Sequence, residues 1–184
     1  MPYVNSPTWY RVVPLHRTTI PSLGESKQQV LWIGCSDSSY EEITGLDLLP
    51  DEIIVLRNIG NMFLEDGLTC LSMVQYAVDI LQVNHVVVCG HYGCGLVKAS
   101  SNAGLGEPWR SKLMNLRSAC EGLLGSQVEQ RDRRFVELNV LAQIQSLQHV
   151  TEVAGAISSR GLKIHGLVYD RSKNEVARLE EQPE

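Results

Sequence analysis

At 184 residues and 43% hydrophobic, the chain is long enough to bury the core of one domain and too apolar to stay disordered. A formal net charge of −5 with no dense Lys/Arg face excludes a phosphate-backbone partner, so no nucleic-acid role is expected. No stretch reaches the ~18 apolar residues that a bilayer span needs, and five cysteines at irregular spacing fit a reducing compartment better than a disulfide framework, so the expectation is a soluble, cytoplasmic protein with no membrane partner.

Taken in chain order, residues 1–29 read as an extended arm, because Pro2, Pro7, Pro14 and Pro21 each remove a backbone donor and break helices. Its Trp9, Tyr10 and Val12 are expected to pack on a neighbour. Short β-branched runs follow: VLWIG at 30–34, IIVLRN at 53–58, HVVVCG at 85–90 and LKIHGLVY at 162–169, each predicted to be a buried strand. Between them lie helical repeats, with Leu71, Val74, Val78 and Leu81 on one face and Val136, Val140, Ile144 and Leu147 on another. SNAGLGEPW at 101–109 reads as a loop, the charged EQRDRRFVE as a solvated helix start, and 177–184 as a solvated tail. Strands alternating with helices predict a single α/β domain over 30–176 with a mainly parallel central sheet flanked by helices, whose ligand site lies off the carboxyl ends of the strands.

Two motifs sit at such ends. Cys35 closes one strand in WIGCSDSSYEE, and His91 and Cys94 follow another in VVVCGHYGCG. On neighbouring parallel strands these three meet, and two thiolates with one imidazole suit Zn²⁺, leaving the fourth tetrahedral position open as in a catalytic site. Asp37 is the nearby carboxylate that either binds the metal or stands beside it. The bland alternative is that these cysteines only fill the core. The glycines of GHYGCG run G-x-x-G-x-G, the wrong order for a dinucleotide loop, and are read as room for close backbone approach with N–H groups at a helix start. His16, His85, His149 and His165 stand without ligand spacing, and Cys70, Cys89 and Cys120 fall in apolar patterns. All are expected to be surface or core residues, the thiols inert.

At these residues the chain resembles the β-class carbonic anhydrases of the bacterial and fungal branch. CSDSS, RNIGN (57–61), QYAVD (75–79), CGHYGCG (89–95), ELNV (137–140) and HGLVY (165–169) follow the family's motifs in order over about residues 30–170. The resemblance implies Cys35, His91 and Cys94 as zinc ligands and Asp37 as the carboxylate that occupies or releases the fourth position. It implies a parallel four-stranded core with an antiparallel edge strand, a homodimer or homotetramer with sites near the interface, and reversible hydration of carbon dioxide to bicarbonate. In part of that branch a tryptophan, an arginine and a tyrosine bind bicarbonate away from zinc, and Trp32, Arg57 and Tyr169 match them. Ordinary packing is the competing reading of those three.

Two positions depart from the family pattern. Ser39 stands where an arginine pairs with the aspartate, so Asp37 is expected to lack a cationic partner and to spend more time on the metal. Leu49, before Pro50, stands where a Gln or Glu is usual. A zinc-dependent carbonic anhydrase of reduced activity is therefore the leading expectation. A zinc enzyme acting on another small electrophile, or a non-catalytic zinc- and bicarbonate-binding subunit, are the alternatives.

Overall fold

Six strands join into one sheet in the order β1-β6-β5-β4-β2-β3. They are β1 (Tyr10–Pro14), β2 (Val30–Cys35), β3 (Ile53–Asn58), β4 (His85–His91), β5 (Lys163–Asp170) and β6 (Glu175–Glu181). The structure, a computed structural model, describes residues 10–64, 67–99, 107 and 109–182. Trp9 and most of the loop expected at 101–109 lie outside the described residues.

β3, β2, β4 and β5 run parallel, and β2 and β4 are buried along their whole length, as strands covered on both faces must be. Their alternating side chains build two cores. Leu31, Ile33, Val86, Val88 and Val168 pack on one face, and Val30, Trp32, Val87, Leu167 and Tyr169 on the other. The first face is covered by helices α2 (Leu68–Gln75), α5 (Val128–His149) and α6 (Thr151–Arg160). The second is covered by the chain around Ile20 and by the 40–48 segment, which includes the short helix α1 (Glu42–Leu46). Helices α3 (Gly95–Ala99) and α4 (Trp109–Ala119) complete the set. Among the described residues, no helix is long and apolar enough to cross a membrane.

Helix α5 lies against β4 and β5 because two adjacent strands present glycines to it. A Cβ at Gly90 would sit 2.9 Å from both Val136 and Val140, and one at Gly166 would sit 2.8 Å from Ile144. Val136, Val140 and Leu147 are buried as their spacing predicts, and so are Val74 and Val78. The second pair is continued past α2 by a single π turn, Tyr76–Ile80, which shifts the helical phase by one residue.

The antiparallel edge is two strands, which corrects two expectations. Residues 10–14 of the arm pair with β6, and β6 occupies most of the segment read as a tail. Both strands are half-solvated, so their charged residues face water: Arg11 pairs with Glu180 at 2.8 Å, while Tyr10 and Leu179 turn inward. Pro14 is tolerated as the last residue of an outermost strand.

Candidate metal centre

β2 ends on Cys35 and its parallel neighbour β4 ends on His91, so the sheet register delivers both to one edge. The Tyr92–Gly93 turn then returns Cys94 to the same spot. One ligand atom from each of Cys35, His91 and Cys94 lies within 4.8 Å of the others, and all three residues are buried. The two sulfurs are 3.8 Å apart. Two sulfurs on one tetrahedral zinc, each at ~2.3 Å, would be separated by about 3.8 Å. Nε2 of His91 is buried without a hydrogen-bond partner among the described residues, a costly arrangement that a metal would relieve. The donor set and its spacing fit zinc.

The surroundings favour negative charge on sulfur. The hydrogen bond shared with Cys94 holds the Cys35 thiol well below its ordinary value against the opposing effect of burial. The adjacent His91 ring and the N–H groups of Asp37 and Gly60 add to the lowering. The same shared hydrogen bond, then burial, then the charge on Cys35 push Cys94 up, while the N–H groups of Val97 and Leu96 work downward. The pair therefore favours the thiolate on Cys35. Thiolates are the form that binds metal, and metal binding releases protons from thiols.

Asp37 stands at the rim, half-exposed, with Oδ2 4.0 Å from Nε2 of His91. Ser39 is exposed and supplies no charge. The carboxylate nevertheless has a partner: the N–H of Gly95 donates to Oδ2 at 2.8 Å. This partner is a neutral amide, so Asp37 has a hydrogen bond in place of the cationic partner that Ser39 removes.

The sequence profile of the carbonic anhydrase family matches residues 30–176. The chain belongs to the β-carbonic anhydrase family. It is 42% identical to the β-carbonic anhydrase CafD of Aspergillus fumigatus, covering 91% of this chain and 98% of that one with a TM-score of 0.81. Its likeness extends to a tetrameric β-carbonic anhydrase from Sordaria macrospora, 32% identical, covering 84% of this chain and 82% of that one with a TM-score of 0.76. A carbonic anhydrase from Emericella nidulans is 37% identical over 150 residues, which is 77% of this chain. The chain spans 65% of that relative's length, short of two thirds.

In this chain the three residues matched to a bicarbonate site surround a side chain. The Tyr40 ring stacks on Trp32 at 5.5 Å and meets Tyr169 at 4.9 Å, filling the space among them. Tyr169 donates its hydroxyl to Asn174 at 3.1 Å, and Nε1 of Trp32 is buried without a partner among the described residues. Arg57 is spent on the loop after Cys35. It donates to the carbonyls of Cys35, Ser38 and Tyr40 at 3.1, 3.2 and 2.7 Å and pairs with the buried Glu42. The YEE segment therefore brings its own anion to Arg57. Leu49 is exposed, its N–H held by the Glu52 carboxylate at 2.7 Å.

Cys70 and Cys89 are buried, and Cys120 half-buried, in apolar surroundings outside the trio. Burial pushes the thiols of Cys89 and Cys120 up, which suits inert cysteines. His16 and His149 are exposed. His85 and His165 are not solitary: strands β4 and β5 place Nδ1 of one 3.0 Å from Nε2 of the other in a buried pair. The Gly95 amide is one of the N–H groups expected at the helix start after GHYGCG, whereas the Gly60 amide was beyond sequence reasoning, because a backbone N–H has no residue type to betray it.

Proposed function

We propose that this chain hydrates carbon dioxide reversibly to bicarbonate, using one zinc ion per chain held by Cys35, His91 and Cys94. The observation that carries the reading is the buried trio itself, with its 3.8 Å sulfur separation and unpartnered imidazole nitrogen, in a chain of this family. Zinc in that position supplies Lewis acidity that lowers the pKa of water from ~15.7 toward ~7. The protein's residues do the rest. The Asp37 and Gly60 amides hold negative charge on Cys35, and the Leu96 and Val97 amides do so on Cys94. Gly95 fixes Oδ2 of Asp37 at the rim, where the half-exposed carboxylate accepts a proton from the reacting water and passes it to solvent. One neutral amide grips a carboxylate less firmly than a guanidinium, so Ser39, together with Leu49, leaves the enzyme weaker than an arginine-bearing relative.

We also assign the chain to a homodimer or homotetramer in the cytoplasm. Leu68, Tyr76 and Ile80 form an exposed apolar stripe at four-residue multiples along α2 and its π turn, which association would cover. The tetrameric Sordaria macrospora relative supports the same reading. Five free cysteines suit a reducing compartment.

Stopped-flow hydration with zinc-loaded protein across about pH 6 to 9 tests the activity, and elemental analysis tests the ligands. Cys94→Ser is expected to lose most of its zinc and its hydration activity together. Full zinc in that variant overturns the ligand assignment. Full zinc in the wild type with no hydration overturns carbon dioxide as substrate and returns another small electrophile.

A further inference from the structure

Tyr92 lies inside the turn between His91 and Cys94 and is tied at three points. Its N–H donates to the Tyr169 carbonyl at 2.9 Å, and its hydroxyl donates to Oε1 of Glu137 at 2.7 Å. Its ring lies 3.6 Å from the guanidinium carbon of Arg133, which is itself paired with Asp170 at 3.0 Å. The other oxygen of Glu137 accepts the hydroxyl of Tyr10 at 2.6 Å, with Arg134 at 3.4 Å from the same atom and 4.6 Å from the Tyr10 ring. Tyr10 and Glu137 are both buried. Burial first, and the neighbouring carboxylate second, push both phenols up, so each keeps its proton and donates it. A buried carboxylate with two phenol donors and a flanking cation is fully satisfied, and removing one donor costs the group its desolvation.

We propose that Glu137 is a positioning residue for the metal: through Tyr92 it sets the turn that presents His91 and Cys94, and through Tyr10 it makes that turn depend on the docking of edge strand β1. The proposal rests on the zinc reading of the trio. Nothing in it requires Tyr10, Tyr92 or Glu137 to touch substrate.

The test compares Tyr10→Phe, Tyr92→Phe, the double variant and Glu137→Gln. One readout is the rate of zinc release to a chromogenic chelator, and the other is deuterium exchange of the amides at 91–95 in metal-free protein. Tyr92→Phe and Glu137→Gln are expected to release zinc about 10-fold faster, at the lower end of what groups orienting metal ligands contribute. Tyr10→Phe is expected to act in the same direction by roughly 3-fold, with the double variant falling short of the product of the two singles. Val153→Ala, which removes buried volume under α6 without touching the carboxylate or the β1 edge, should lower Tm and leave zinc release unchanged. Wild-type release and exchange rates in Tyr10→Phe, or equally fast release in Val153→Ala, overturn the proposal. If the wild type holds no zinc, the functional reading fails, and faster amide exchange in the phenylalanine variants still decides whether Glu137 braces the turn. If Glu137→Gln does not fold, the two phenylalanine variants carry the test alone.

Discussion

Asp37 is restrained by one backbone hydrogen bond where the family pattern supplies a guanidinium. That difference sets two opposed outcomes. Ser39→Arg adds a charge-assisted partner beside the carboxylate and is expected to raise kcat/KM by several-fold, on the order of 10-fold at most, since charge-assisted bonds are about twice as strong as neutral ones. Gly95→Ala places a Cβ 3.3 Å from Oδ2, crowding the hydrogen bond from the Gly95 amide, and is expected to lower kcat/KM by about 10-fold. Stopped-flow hydration of both variants checks the pair, and no gain from Ser39→Arg would show that the Gly95 amide already suffices. The clustering of Cys35, His91 and Cys94 was legible because residue type and strand-end position are both written in the sequence. Arg57 was legible as a motif residue with two readings, an anion ligand or a structural residue paired to a carboxylate. Its commitment to Glu42 depends on how the 36–42 loop folds back, which no spacing rule conveys.

At the scale of elements, the parallel strands could be read because each is a short β-branched run, whereas β1 and β6 alternate with charge and resemble solvated chain. Adjacency was the other hidden quantity. His85 and His165 look solitary until β4 and β5 pair in register, Val87 opposite His165. Burial first, then His85, Arg178 and Lys163, lower the His165 pKa to about 4, and burial with Lys163 lowers that of His85. The unfolded chain protonates such a histidine near 6.5 and the folded one only near about 4. The stabilisation is therefore complete above about pH 6.5 and lost as pH falls toward about 4, for a total of about 3 kcal/mol. Asp170 loses its own share only lower, through carboxylate values held down by Ser172 and Arg133 against burial. His165→Gln keeps a partner for His85 without the titration, so urea unfolding of this variant is expected to show a flatter decline than the wild type between about pH 6.5 and 4.5. Parallel slopes in the two proteins would remove His165 from the account.

For the whole molecule, an ion held by the proposed ligands would be a folding ligand as well as a reagent. The trio draws on β2, on β4 and on the turn that leads into α3, so an ion held there couples the carboxyl edge of the sheet to the native state. With free zinc at 100 times its Kd the coupling is worth about 2.7 kcal/mol, and removing the ion should lower Tm by roughly 5–10 °C. Differential scanning calorimetry before and after chelation measures this, and an unchanged Tm would place the ion outside the folding equilibrium. The outermost strands have a different consequence, in the time of synthesis. Tyr10 pairs with Glu181, so the first described strand of the chain waits for the last. At ~5–20 residues per second a ribosome needs on the order of ten to thirty seconds to cover that interval, during which the core strands and the ligand turn emerge while Tyr10 has no β6 to lie against. The sheet therefore closes as an afterthought of translation, and the brace on the Tyr92 turn is completed only once β1 has met a strand made about 170 residues later.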